Sequence, residues 1–230
     1  RNLSTAHVHD VSLQSYPREI VGIAGLLGSG RTELMNAIFG IDKHIEGKIL
    51  IAGEEKNISS TKQAINAGVT LVPENRREQG LVLDFKVSTN IVMSILEKLK
   101  RLLFMDRSKE ATLSMSYIDS MNIKTQGIQQ IVRFLSGGNQ QKIVVAKCLA
   151  TNSSILLLDD PTFGVDIHAK YEIMKIIKDF ADQGNTVLFI SSEFKEIVEF
   201  SDSIYVMKRG EISQFISDRI SEDELLQVVQ

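Results

Sequence analysis

Apolar and polar positions fall in blocks along the chain. Ile20 to Ala24 is a short apolar run after Tyr16-Pro17-Arg18, and Ile155 to Leu158 is another after the polar stretch Thr151 to Ser154. Runs of this length, bounded by turn residues, suit strands buried on both faces of a parallel sheet. Thr186 to Ile190 fits a third such strand, and Val69 to Val72, halted by Pro73, a fourth. Ahead of the third, Met174, Ile177 and Ala181 recur at helical spacing, and Gly184 follows as a C-terminal stop. Strands that alternate with helices imply a parallel sheet with right-handed crossovers.

Other segments read differently. Val11 to Leu13, Lys48 to Ala52 and the pair Ile204–Met207 and Ile212–Phe215 fit shorter strands, the pair joined by a hairpin at Lys208-Arg209-Gly210-Glu211. From about Ser88 to Ile131 no strand pattern stands out; two or three helices are expected, with Ile91, Ile95 and Leu99 on one stripe. A last helix starts at Ser221, where Glu224 completes a capping box. The expected architecture is therefore α/β: one domain over 1–230, a core of 1–84 and 145–230 with a small antiparallel β portion, and an inserted helical subdomain over 85–144.

Composition narrows the function classes. Hydrophobic residues make up 43% of the 230 and charged residues 24%, which excludes disordered and low-complexity chains. The net charge of −3 argues against a dedicated nucleic-acid binder. No apolar run approaches the ~20 residues of a membrane-spanning helix. The single cysteine, Cys148, has no partner for an internal disulfide, so a reducing compartment is expected. It sits among Val145 and Leu149 as a packed thiol, and His7, His9, His44 and His168 show no zinc spacing. A start at Arg1 rather than Met suggests a piece cut from a longer protein.

Candidate chemistry begins right after the first apolar run. Gly25-Leu26-Leu27-Gly28-Ser29-Gly30-Arg31-Thr32 precedes a helical run from Glu33 to Phe39 that stops at Gly40. Strand, glycine-rich loop and helix cradle phosphate, because glycines let backbone N–H groups turn inward and the helix N-terminus adds partial positive charge. Gly25, Gly28, Ser29, Gly30, Arg31, Thr32 and Glu33 are the candidate nucleotide contacts, with the Thr32 hydroxyl placed to ligate Mg²⁺. The pattern G-x4-G-K-S/T is met except that Arg31 replaces lysine, a planar fork in place of a point charge. On the loop alone, a glycine-rich turn that binds nothing is the alternative. Two acids, Asp159 and Asp160, end the Ile155–Leu158 strand, at the sheet edge where open α/β folds bind ligands. Asp159 could hold Mg²⁺ and Asp160 polarise an attacking water; solvated loop acids are the alternative.

About 20 residues earlier stands Leu135-Ser136-Gly137-Gly138-Asn139-Gln140-Gln141-Lys142. This string resembles the signature motif of ATP-binding-cassette (ABC) ATPases, and the order of motifs along the whole chain matches that family. Ser136 would cap a helix through Ile143, Val144 and Leu149, with Gly137-Gly138 exposing its N–H groups to a phosphate presented from outside. The resemblance implies a P-loop ABC ATPase fold, ATP and Mg²⁺ as cofactors, and a two-cassette sandwich. There Ser136, Gly137, Gly138 and Asn139 would meet the ATP held by the partner cassette. It further implies membrane permease partners, an indirect link to a sugar-binding protein, and a place at the cytoplasmic face of the membrane.

Departures from that family pattern are correlated. Arg31 replaces the loop lysine, Glu74 the glutamine after Leu71-Val72-Pro73, Asp160 the glutamate after Asp159, and Ser192 the switch histidine. Serine cannot do imidazole's acid–base work, and loss of one such participant costs ~10²–10⁴ in rate. The expectation is a weakened site with Asp160, Ser192 and Glu74 in the catalytic positions. Gly25–Leu34, Val72–Arg77, Leu135–Lys142, Asp160–Asp166 and Ser191–Glu193 together resemble the second, C-terminal cassette of monosaccharide (ribose/galactose-type) importers, in which two cassettes are fused. The partner would then be the N-terminal cassette of the same protein. A fully active, homodimerising ABC ATPase of another importer, pairing with a second copy of itself, is the alternative. A DNA-maintenance ATPase is disfavoured, since the insert lacks sustained heptads. In the family, the Glu74–Gly80 segment and the helical insert face the permease. Lys98, Lys100, Arg101, Arg107 and Lys109, interleaved with Leu102, Leu103, Phe104 and Met105, fit a docking surface or simply a solvated helix-loop over an apolar stripe.

Overall fold

A computed structural model of the chain describes residues 1–43, 46–101 and 104–230. The elements run β1 (Ile20–Gly25), α1 (Arg31–Ile38), β2 (Ile49–Ile51), β3 (Glu54–Lys56), α2 (Thr61–Asn66), β4 (Val69–Val72), α3 (Val87–Val92), β5 (Lys100–Arg101), β6 (Phe104–Met105), α4 (Arg107–Ser120), α5 (Gly137–Leu149), β7 (Ile155–Asp159), α6 (Ile167–Asp182), β8 (Thr186–Ile190), α7 (Phe194–Phe200), β9 (Ser203–Lys208), β10 (Glu211–Ile216) and α8 (Glu222–Val229). A π-helical turn covers Arg76–Gly80, and 3₁₀ turns cover Met93–Leu99 and Val132–Phe134. Six strands form one sheet in the order β10-β9-β1-β8-β7-β4. In it β9, β1, β8 and β7 are parallel and β10 is antiparallel to β9. The hairpins β2–β3 and β5–β6 are each antiparallel.

The chain resolves into two compact units. The first holds Arg1–Leu71, Ser153–Asp160 and Ile177–Gln230. Its sheet explains the long apolar runs: every residue of β1 and β8 is buried, as are Leu156, Leu157 and Leu158. Each Val, Leu, Ile and Phe side chain among them contributes about 1.5–3 kcal/mol by leaving water. Leu34, Met35 and Ala37 on α1 join this core with Val21, Ile23, Leu157 and Leu188. Arg209 and Gly210 both have positive φ, the two-residue hairpin geometry that matches strand twist. At α8 the capping box is formed, Ser221 and Glu224 each accepting the other's backbone N–H.

The second unit holds Val72–Asn152 and Pro161–Ile176. Here α3 packs on α4 and α5. Ile91, Ile95 and Leu99 are buried as one stripe, but α3 ends at Val92 and the 3₁₀ segment that follows is itself broken at Ile95 (φ −126°), so the stripe does not lie on one continuous helix. The expected absence of strands from 88 to 131 is corrected by the short β5–β6 hairpin. In the first unit the expected Val11–Leu13 strand is only an isolated bridge between Leu3 and Val11. The helices α2 and α7, with six and seven residues, are too short to show a period. Of the basic segment, Lys98 donates to the Thr151 carbonyl (3.1 Å) and Arg107 pairs with Glu110 (2.7 Å). Phe104 is 79% exposed, whereas His44, Leu102 and Leu103 lie outside the described residues. No helix among the described residues is long and apolar enough to cross a membrane.

Candidate functional site

Register brings three loops of the first unit together. Ile190 pairs with Ile23 of β1 on one side and with Asp159 of β7 on the other. The parallel strands β1, β8 and β7 therefore end side by side, followed by the glycine-rich loop, Ser191-Ser192 and Asp160 respectively.

The glycine-rich loop bends sharply into α1. Gly30 occupies the N-cap of α1 with φ 98°, and no side chain caps that helix, a helix end of the kind that suits an anion. The Ser29 hydroxyl is buried without a hydrogen-bond partner. A Cβ on Gly28 would meet nothing within 4 Å, whereas one on Gly25 would strike Ser29 Oγ at 2.4 Å. Below the loop, the Gly210 N–H donates to the Ser29 carbonyl (2.8 Å), and Gly210 comes within 3.1 Å of a Cβ position on Gly30. The uncapped helix end and the orphaned hydroxyl fit a phosphate-bearing ligand. Thr32 and Glu33 sit in the first turn of α1, which packs against β7 and thus against the strand carrying Asp159.

Arg31, Asp160 and Ser192 meet at the strand ends. Arg31 Nη1 donates to the Ser191 carbonyl at 3.0 Å. Ser192 donates to Asp160 Oδ1 twice, from its N–H at 2.7 Å and its hydroxyl at 3.0 Å. Asp160 itself sits at φ 46°, with its N–H on the Ile190 carbonyl (3.0 Å). Aspartate tolerates that left-handed conformation better than most residues. Two donors on one oxygen turn this carboxylate toward its neighbour.

Glu74 and the signature string lie in the second unit. Glu74 is exposed two residues beyond β4 and lines, with Asn75, Arg76, Arg77, Phe163 and Gly164, a cavity of about 290 Å³. Ser136 is the exposed N-cap of α5; its hydroxyl oxygen accepts the Asn139 N–H (3.4 Å) and side-chain amide (2.8 Å). Asn139 Oδ1 in turn accepts the Lys124 N–H at 2.8 Å. Gly137 and Gly138 also make room for neighbouring groups. Gly138 is buried, and its missing side chain admits Ala169 of α6, which a Cβ would meet at 2.5 Å. At Gly137 a Cβ would meet Arg76 Nη2 at 2.8 Å. Behind this turn, Lys142 on α5 is 2% exposed and pairs with Glu172 of α6 at 2.8 Å. Cys148 on the same helix is 2% exposed.

Ser191, Gly210 and Arg76 escaped sequence reasoning. Their contributions are a carbonyl, a close backbone approach and a side chain that reaches over 80 residues along the chain; only the glycine at a hairpin tip left a local trace.

A model of the ABC transporter family matches residues 8–163. The chain is 40% identical to the ribose import ATP-binding protein of Geobacillus kaustophilus, over 94% of this chain and 44% of that protein. It is 39% identical to the xylose import ATP-binding protein of Moorella thermoacetica (95% and 44%). It is 38% identical to a putative ribose/galactose/methyl galactoside import ATP-binding protein of Rhizobium meliloti (98% and 46%). The chain thus spans less than half the length of these relatives. Among solved structures, a dimeric ATP-binding cassette in a post-hydrolysis state bound to ADP and Pi is similar with a TM-score of 0.78 at 22% identity, covering 94% of this chain and 92% of that one. A nucleotide-free cassette from an ABC transporter gives 0.80 at 18%, over 97% and 88%.

Proposed function

The chain belongs to the ABC transporter family, and from that premise we propose that it is the second, C-terminal nucleotide-binding cassette of a monosaccharide import ATPase. Its division of labour follows the resemblance: one cassette over 1–230 with the helical subdomain at 85–144 presenting the signature. Ser136, Gly137, Gly138 and Asn139 serve the ATP held by the N-terminal cassette of the same protein. Permease subunits carry the motion through the membrane at its cytoplasmic face, and a sugar-binding protein delivers the substrate to them.

The cassette's own site binds ATP and turns it over slowly. Gly25, Gly28, Ser29, Gly30 and Glu33 form the phosphate cradle, with Arg31 as its cation. Thr32 and Asp159 are the residues that would hold Mg²⁺, an ion that needs only one or two protein ligands beside phosphate and water. Bound there, it would neutralise phosphate charge. Asp160 and Ser192 take the acid and switch positions, and Glu74 takes the glutamine position of the family pattern.

One observation carries the slow turnover: Asp160, the acid placed to polarise water, already accepts two hydrogen bonds from Ser192 on one oxygen. An acid one methylene short of glutamate and drawn sideways makes a poor general base. ATPase assay of the purified 230-residue chain tests the proposal. Hydrolysis near background is expected, with or without Asp160→Asn. Robust hydrolysis abolished by Asp160→Asn, together with dimerisation of the chain, would establish the fully active homodimer instead.

A further inference from the structure

Within the second unit, Arg76 joins the segment after Glu74 to the loop at 163–164 and to the signature turn at Gly137. It follows Glu74 by two residues and opens the π-helical turn Arg76–Gly80. The Asn75 side chain fixes that turn by accepting the N–H groups of Arg77 (3.2 Å) and Glu78 (3.3 Å). From this base the guanidinium reaches the loop after Pro161. Nη1 donates to the Phe163 carbonyl at 2.7 Å and Nη2 to the Gly164 carbonyl at 3.1 Å. Gly164 has φ 64°, a conformation open to glycine without penalty, and it lets two successive carbonyls face one planar group. The same Nη2 fills the space beside Gly137, where a Cβ would approach it to 2.8 Å.

The arrangement is costly as mere packing. Burial, and then the charge of Arg77, hold the Arg76 guanidinium below its ordinary proton affinity, and its Nε is buried with no hydrogen-bond partner. A fork that spans two carbonyls is something lysine cannot reproduce.

We propose that Arg76 is a positioning residue, a two-pronged clamp that moves the loop at 163–164 and the signature turn at Gly137 together with the segment after Glu74. The effect on hydrolysis rests on the function proposed above; the clamp itself does not.

The assembled importer tests both. Arg76→Gln is expected to lower kcat for ATP by about tenfold, as a sub-ångström misplacement does, with KM changed less than about twofold. Arg76→Lys should recover only part of kcat. On a Gly137→Ala background Arg76→Gln should cost less than it does alone, since the added methyl has already displaced the guanidinium. A raised KM with kcat intact, or effects of the two substitutions that simply multiply, would overturn the clamp. Ser136→Arg in the same assay judges the signature assignment separately. Should hydrolysis ignore Ser136→Arg, amide hydrogen exchange still decides for Arg76: Arg76→Gln should speed exchange at 163–166 and at 136–139 together. Faster exchange in one stretch without the other would sink the proposal.

Discussion

Ser136→Arg in the assembled importer should lower ATP hydrolysis by at least ~10²-fold, the scale of losing a preorganised donor to developing phosphate charge. Ser136 is exposed at the very start of the thirteen-residue α5, and its oxygen is held by two donors of Asn139. The oxygen's acceptor capacity is thereby used, and what the hydroxyl can still offer a phosphate presented in front of the helix is its proton. Arginine removes that donor, fills the space a phosphate would take, and sets a cation where the helix end favours anions. It also removes the cap, at about 1 kcal/mol, so melting should shift by only a few degrees while hydrolysis collapses. Ser136→Ala should fall in between. Wild-type hydrolysis by the arginine variant would refute the proposed exchange of signatures between cassettes.

Glu172→Ala should cost about 3 kcal/mol of stability, the lower end of what breaking a buried ion pair takes. Lys142 is almost entirely out of water, and its ammonium has two partners, Glu172 at 2.8 Å and the Asn122 carbonyl at 3.0 Å. The Asn122 amide and His168 flank the same carboxylate at 3.2 and 3.4 Å. Glu172 is 27% exposed, which places the cost at the lower end: water can partly replace it. Urea unfolding should show a lower midpoint with an unchanged slope. Replacing both partners, Lys142→Met with Glu172→Leu, should restore most of the loss, because no charge is left stranded. The pair also sets an acid dependence. The hydrogen bond from Lys142, aided by its charge and outweighing burial, holds the Glu172 carboxyl below its ordinary value of 4.5. Its stabilisation is therefore complete above about pH 4.5 and disappears as pH falls through the lowered value. The stability gap between the native chain and Glu172→Gln should close over that acid range, with the Lys142 and His168 side chains facing the same carboxylate. A gap that stays constant down to pH 2 would contradict the assignment.

What could be read in advance and what could not divide along one physical line. β1, β7 and β8 were legible because strands buried on both faces must be apolar throughout. The glycine-rich loop, the paired acids and the signature string were legible because each packs its chemistry into eight or fewer neighbouring residues. The α8 start was legible for the same reason, a cap being a matter of four positions. The β5–β6 hairpin, by contrast, has strands of two residues, less than one period of any pattern. The interruption at Ile95 left the apolar stripe intact and so left no mark in it. At the candidate site, the Ser192 hydrogen bonds to Asp160 and the Arg76 hold on 163–164 join residues distant along the chain, and no spacing rule encodes them. Gly138 illustrates a subtler limit: a glycine in a motif looks like an opening for ligand, but here it is also where a neighbouring helix presses in.

Cys148 gives this fold a built-in reporter. It is the chain's sole thiol and lies on α5, shielded from solvent. A maleimide or disulfide reagent can react with it only when that helix parts from its surroundings, so the speed of alkylation under native conditions counts those excursions. Any compound that slows the reaction has tightened the helix that begins at the signature serine, whichever end of the molecule it binds.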